Sequence, residues 1–298
     1  MEQQYIQTYV LHLEKIMSNL ETPVIDKHFL CHYTSASSLK SILESKTLHF
    51  TKWDFLNDES EMIHIHDVVK RCIKLGSYSQ KFNNLVLSIN QIAEQLMRDY
   101  SYPLEDDYYI LSLSSNPDSL PMWSYYTKSQ YNDGYNIDFE ANELLTSLKS
   151  NMNEIKNIKI IRLRYDDIEK ERCVNSILDE LYELYCSLDD YKETENDVVM
   201  LLEFSLSVLA KYFKHKAFEH EMEYRILVNA NTTKEKTREK NGLFIPYIEL
   251  SFDKDYVKRV NISPTLSKRN AQVGLETFLK NNGYSCKIKQ SNIPFRNI

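Results

Sequence analysis

The chain has 298 residues, 42% of them hydrophobic, 27% charged and 12% aromatic, with a formal net charge of −7. That balance supports a sizeable core and excludes wholesale disorder, and the acidic excess excludes a protein that coats nucleic acid by neutralising phosphates. Only five glycines occur, and neither GxGxxG nor GxxxxGK[ST] is present, so no Gly-rich phosphate loop is available. The length suits one elaborated domain over residues 1–298. The five cysteines (31, 72, 173, 186, 286) are scattered and include no CxxC pair, which fits buried thiols in a reducing compartment and gives no metal or redox signature. No apolar run is long enough for a membrane span and the N-terminus does not read as a signal peptide, so the expected location is cytoplasmic, with no membrane partner.

In chain order, Tyr5, Ile6, Tyr9, Val10, Leu13, Ile16, Met17 and Leu20 have helical spacing, and Thr22-Pro23 ends the pattern. Strand-like runs follow at residues 28–34 and 47–51 with a short helix between them. Asn57 or Asp58 then caps a helix that carries His64 and His66. These two histidines sit two apart, on different helical faces, which is poor metal geometry, and they read as surface residues. The next helix has Phe82, Leu85, Val86, Ile89, Ile92, Leu96 and Met97 on one side. Strands are expected at 108–114 and 135–139, with "LPMWSYYTKSQYNDG" between them as a short helix and turn. Two charged amphipathic helices over 166–216 read as a helical insertion or lid. The remainder predicts strands at 223–228, 243–250, 257–262 and 285–289, and a helix over 267–281.

Three segments carry chemistry. "LCHYTSASSLKSILESKTLHF" ends a strand in His32-Tyr33-Thr34 before a helix and a second strand. "YYILSLSSNPDSLPMWSYY" runs a strand into serines and an aromatic helix, and "EMEYRILV" sets Glu221 and Glu223 ahead of a strand. If the strand has begun by Glu221, both carboxylates face one side. Each segment also has a bland reading: a hydrogen-bonded core histidine, aromatic packing under a helix, and an ion-pair ladder of Glu221 and Glu223 with Arg225.

The order of these segments resembles the motif order of the ADP-ribosyltransferase superfamily. The wider set HYT, LND followed by an acid, WSxY, ExEYR and the closing "SNIPFRN" is similar to an uncharacterised bacterial family over roughly residues 29–296. The first resemblance implies an α+β fold with a split, mostly antiparallel sheet, surrounding helices and the helical insertion. It also implies NAD as ADP-ribose donor, no metal, and transfer to a macromolecular acceptor, RNA, DNA or protein, with release of nicotinamide.

In the roles this resemblance implies, His32 hydrogen-bonds a ribose hydroxyl, the Tyr33 backbone meets the carboxamide, and Thr34 closes the same strand end. Tyr126, or Tyr125 if the helix phase differs, stacks on nicotinamide beside Trp123. Glu223 binds the 2'-hydroxyl of the nicotinamide ribose and Glu221 positions the acceptor. His32, Tyr126 and Glu223 are then expected to line one cleft. Breaking the C1'–N bond develops oxocarbenium character, which a fixed carboxylate stabilises. Arg225, Arg269 and Arg296 are candidates for a pyrophosphate. The bacterial resemblance implies a toxin or antiphage defence effector with an antitoxin or chaperone partner. The competing class is a non-catalytic nucleotide- or partner-binding module.

Overall fold

In the computed structural model, residues 28–56, 63–98, 108–127, 134–151, 155–187, 191–230, 234–240, 242–266 and 268–295 are described, with Gln7, Val10, Leu11, Glu14 and Lys15. Most of the expected N-terminal helix, together with Asn57, Asp58, Glu59, Glu61 and Arg296, lies outside them. The elements are β1 (Phe29–Thr34), α1 (Ala36–Ser45), β2 (Thr47–Lys52), α2 (His64–Leu75), α3 (Gln80–Arg98), β3 (Tyr108–Ser114), α4 (Leu120–Tyr126), β4 (Tyr135–Glu140), α5 (Ala141–Lys149) and β5 (Ile155–Arg162). They continue with α6 (Asp167–Ser187), α7 (Tyr191–Leu209), β6 (Glu223–Ala230), β7 (Lys236–Lys240), β8 (Leu243–Ser251), β9 (Val257–Ile262), α8 (Lys268–Asn281) and β10 (Lys287–Gln290). The fold is α+β, with a ten-stranded, mostly antiparallel mixed sheet.

The chain divides into two compact units, a helical one of residues 1–23, 56–105 and 162–218 and a sheet unit of 24–55, 106–161 and 219–298. In the helical unit α2, α3, α6 and α7 pack on one another, so this body draws on more of the chain than the insertion over 166–216. Its core is the apolar stripe that the periodicity marks, including Phe82, Val86, Ile89, Ile177, Leu181, Val198 and Leu202. His64 and His66 are buried, not surface residues as the spacing implied. Two positions apart on α2, each faces a different packing neighbour. His66 Nδ1 lies 2.8 Å from the Asn90 side-chain oxygen on α3, and the Lys170 ammonium on α6 donates to His64 Nε2 at 3.1 Å.

In the sheet unit the strand order is β10-β9-β4-β1-β3-β2-β8-β7, with β6 on β3 and β5 on β6. β10 runs parallel to β9, and the ladders from β9 to β8 through β4, β1, β3 and β2 are antiparallel. Ser35 starts α1 by accepting the Ser38 amide at 3.2 Å, and Lys46 ends it in the left-handed region at φ 56. Leu39 and Leu43 of α1, and Leu275 and Leu279 of α8, bury one face of the sheet over Leu30, Phe50, Leu111, Ile137, Phe139 and Val260. The sequence reading lacked β5 and β7. β7 (KTREK) has no apolar residue and is a strand because it pairs with β8, an edge position that tolerates charge. β5 (IKNIKIIR) lacks strict alternation, so its period is hidden.

One topological feature positions the site. β6 pairs with β3 along its whole length, from Tyr108↔Asn229 to Ser114↔Glu223. A strand has two edges, so β1, which meets β3 at Ser114, and β2, which meets it at Tyr109 and Ile110, share the other one. The sheet therefore forks at the middle of β3, around Ser112.

Candidate functional site

The three chemistry-bearing segments converge on three neighbouring strands. Cys31 of β1 pairs with Ser114 of β3, and Ser114 pairs with Glu223 of β6. The row continues outward from Cys31 to Asp138 of β4 and Arg259 of β9. Directly opposed residues share a face, so these polar side chains lie on the side of the sheet away from the large apolar core.

Glu223 and Arg225, two apart on β6, form a bidentate pair, with Arg225 Nε donating to Glu223 Oε1 at 2.8 Å and Nη2 to Oε2 at 3.3 Å. Both are buried, at 3% and 1% exposure. Arg259 pairs with buried Asp138 through a single carboxylate oxygen, Oδ2, to which its Nε donates at 2.6 Å, and burial, outweighing the nearby guanidinium, raises that carboxyl above its usual range. The Cys31 thiol is also pushed well up, by burial first and then by Asp138, which disfavours the nucleophilic thiolate.

Glu221 and Glu223 are not two positions of one strand. Glu221 closes a 3-10 turn over Lys216–Glu221, Met222 adopts φ 45, and the strand begins at Glu223. A left-handed conformation at a residue with a side chain is strained and persists where its surroundings enforce it. Here the serines of the second segment do so. Ser114 Oγ donates to the Glu221 carbonyl at 2.6 Å, and the Ser115 amide and hydroxyl donate to the Met222 carbonyl at 3.1 and 3.3 Å. The Glu221 carboxylate accepts the Tyr126 hydroxyl at 2.5 Å.

Helix α4 resolves the aromatic phase. Trp123 is 1% exposed and Tyr125 61%, while Tyr126 packs on the cluster of Cys31, Tyr33, Met122 and Trp123. Tyr126 is thus the inward tyrosine and Tyr125 the outward one. Tyr33 lies edge-on to Trp123, with ring centroids 4.7 Å apart. Its hydroxyl donates to the Asn116 carbonyl at 2.7 Å and accepts the Ser119 amide at 3.1 Å, so the side chain braces the turn leading into α4. Tyr33→Phe should lower stability by about 1–3 kcal/mol by leaving those two groups without the hydroxyl; a change in urea midpoint within error of zero would remove this role. Asp118, which the sequence reading passed over, accepts the Trp123 indole N–H at 3.0 Å, the Ser291 hydroxyl at 2.6 Å and the Asn292 amide at 3.2 Å. The closing "SNIPF" run is thereby tied to the aromatic helix, a contact visible in sequence only as an acid in an Asn-Pro-Asp-Ser turn.

His32 departs from the expected cleft. Alternation along β1 puts Leu30, His32 and Thr34 on one side and Cys31 and Tyr33 on the other, and His32 faces Ile137 across the ladder. It therefore does not share a side with Tyr126 and Glu223. Its ring lies against the fork, where Nδ1 donates to the Ser112 carbonyl at 3.3 Å. Burial lowers its pKa, and Arg238 and His49 lower it further. Thr34 is buried, and Arg269 is exposed on α8. Among the described residues no three His, Cys, Asp or Glu side chains gather as a metal ion would require, and no helix is long and apolar enough to cross a membrane.

Residues 122–226 match the model of an uncharacterised family, "Protein of unknown function (DUF2971)". The match begins in α4 and ends in β6, so it holds Trp123, Tyr126, Glu221, Glu223 and Arg225 and leaves out His32. Neither a curated protein nor a solved structure matches the chain. None of these comparisons links it to the ADP-ribosyltransferases.

Proposed function

We propose that the protein is an NAD-dependent ADP-ribosyltransferase that moves ADP-ribose to a macromolecular acceptor. The bond between C1' of the ribose and the nicotinamide nitrogen breaks, a bond from an acceptor heteroatom to C1' forms, and the acceptor's proton is lost to a base. The observation that carries this reading is the convergence of three ordered segments, up to about 190 residues apart, on the adjacent strands β1, β3 and β6 beside a fork in the sheet. A forked, mostly antiparallel sheet also agrees with the split sheet that the resemblance implies.

In this reading Glu223 opposes the positive charge that builds on the ribose as nicotinamide leaves, Tyr126 offers its ring to nicotinamide, and Glu221 sets the tyrosine hydroxyl. His32 lies on the other side of β1 from these groups, so it takes no part in this reading, and its place there counts against a single cleft lined by all three. Lys156, Lys159 and Arg162 on β5 are the cations that a nucleic-acid acceptor would use. Nicotinamide release from NAD by the full-length protein, with RNA, DNA and protein acceptors offered in turn, tests the proposal. Glu223→Gln is expected to lose on the order of 10²-fold or more in rate. Equal release from wild type and variant would take Glu223 out of the chemistry.

A second reading, a non-catalytic nucleotide- or partner-binding module, is favoured by one observation. The Glu223 carboxylate is already matched by a bidentate arginine, which opposes its use against a developing cation. Tight NAD binding without turnover in the presence of every acceptor would decide for the module.

A further inference from the structure

Beyond the row that holds Glu223, the fork carries a second group of polar side chains, on β2, β7 and β8. Arg238 Nη2 donates to Thr51 Oγ1 at 2.7 Å and Nη1 to His49 Nδ1 at 3.2 Å. Its guanidinium carbon stands 5.3 Å from the centre of the Tyr247 ring, on which His49 also stacks at 4.3 Å. Because His49 Nδ1 accepts, the ring proton sits on Nε2, 3.4 Å from Glu249 Oε1.

The acids around Arg238 are committed elsewhere. Glu249 is held by Lys236 at 2.6 Å and by His49, Glu239 accepts the Gly242 amide at 2.7 Å, and Glu235 takes the Tyr109 hydroxyl. Among the described residues no carboxylate meets Arg238, which is half-buried and whose charge burial disfavours. The pKa of His32, across the fork, is lowered by burial and then by the charges of Arg238 and His49. A desolvated guanidinium pinned by two neutral acceptors and an aromatic face, with no acid on it among the described residues, is costly unless an anion joins it. Arg225 and Arg259, by contrast, are each met by an acid, Glu223 on β6 and Asp138 on β4.

We infer that Arg238, oriented by Thr51, His49 and Tyr247, binds the phosphate group of a phosphate-bearing ligand on the β2, β8 and β7 side of the fork. The chemistry fits a phosphate better than a carboxylate, since the guanidinium keeps three N–H donors after serving Thr51 and His49 and a multiply charged anion gains most from it. This inference stands on the Arg238 geometry and holds whether or not Glu223 performs chemistry.

Calorimetric titration of the full-length protein with inorganic pyrophosphate, ADP-ribose and adenosine tests it. Wild type is expected to bind both phosphate probes, adenosine weakly or not at all, and to lose phosphate affinity as salt rises. Pyrophosphate bound as well as ADP-ribose would mark a free anion as the ligand, whereas a large preference for ADP-ribose would mark a nucleotide. Arg238→Gln should weaken both phosphate probes by on the order of tenfold or more without altering the response to adenosine. Arg238→Lys should fall between, because it keeps the charge and loses the fork geometry. Thr51→Val keeps the charge and should weaken the same two probes several-fold, which carries the test if Arg238→Gln does not fold. Wild type that binds neither phosphate probe, or an Arg238→Gln or Thr51→Val protein that binds both like wild type, overturns the inference. Nicotinamide release by Glu223→Gln does not enter this experiment, so the two proposals fail separately.

Discussion

Arg225→Met is expected to cost the sheet unit about 3–5 kcal/mol, the range for breaking a buried ion pair from one side. Arg225 is 1% exposed and Glu223 3%, and the two are bound through both carboxylate oxygens. Removing the arginine takes a bidentate donor from a carboxylate that burial keeps from water. Both tryptophans, Trp53 and Trp123, lie in the sheet unit, so their fluorescence during urea unfolding reads this unit. The double variant Glu223→Leu/Arg225→Met should recover most of the loss, since apolar replacement of a whole buried pair is often neutral or stabilising. A single variant as stable as wild type would mean that the pair is solvated in solution. A double variant no better than the single would place the cost in packing.

Acid should destabilise both units well before the carboxylates titrate. Burial holds His32, His49, His64 and His66 below the ordinary histidine range, and His64 is brought down to about 4 by burial and then by Lys170 and His215. Lys170, His215 and Arg71 face His64 as cations or potential cations, with the Asp167 carboxylate opposing them. The unfolded chain takes up a proton near pH 6.5, whereas folded His64 does so only near 4. Between those values the unfolded state binds more protons, so stability is full above about pH 6.5 and falls as pH drops through the window. The midpoint of thermal unfolding by circular dichroism should fall steadily from pH 7 to pH 5. His64→Gln, which keeps an acceptor for Lys170 and removes the titration, should flatten that slope for the helical unit. A midpoint unchanged between pH 7 and 5 would show that these rings charge freely in the folded protein.

How much was readable from the residues alone differed by element. The helical stripes were legible because 3.6-residue periodicity survives in any one helix, and Val198, Leu201, Leu202, Ser205 and Leu209 are all buried as that period requires. β7 was not legible, because KTREK becomes a strand only through its partner. The inward choice of Tyr126 over Tyr125 followed from where α4 begins, which depends on Tyr33 and Asp118 bracing the turn ahead of it. His64 and His66 were misplaced because two polar residues on two helical faces read as exposed until a second helix is known to cover each face.

The sequence by itself determined the α+β character, most of the strands and helices, and the identity of the polar segments, since each depends on local spacing and residue type. It could not determine which faces those segments share. Glu221 and Glu223 are separated by a left-handed Met222 that two serines more than 100 residues earlier hold in place. His32 stands on the other side of β1 from Tyr33, at a fork that exists because β1 and β2 share one edge of β3. Both are matters of long-range register. A strand carries its alternation in its own residues, but only the ladder decides what stands opposite.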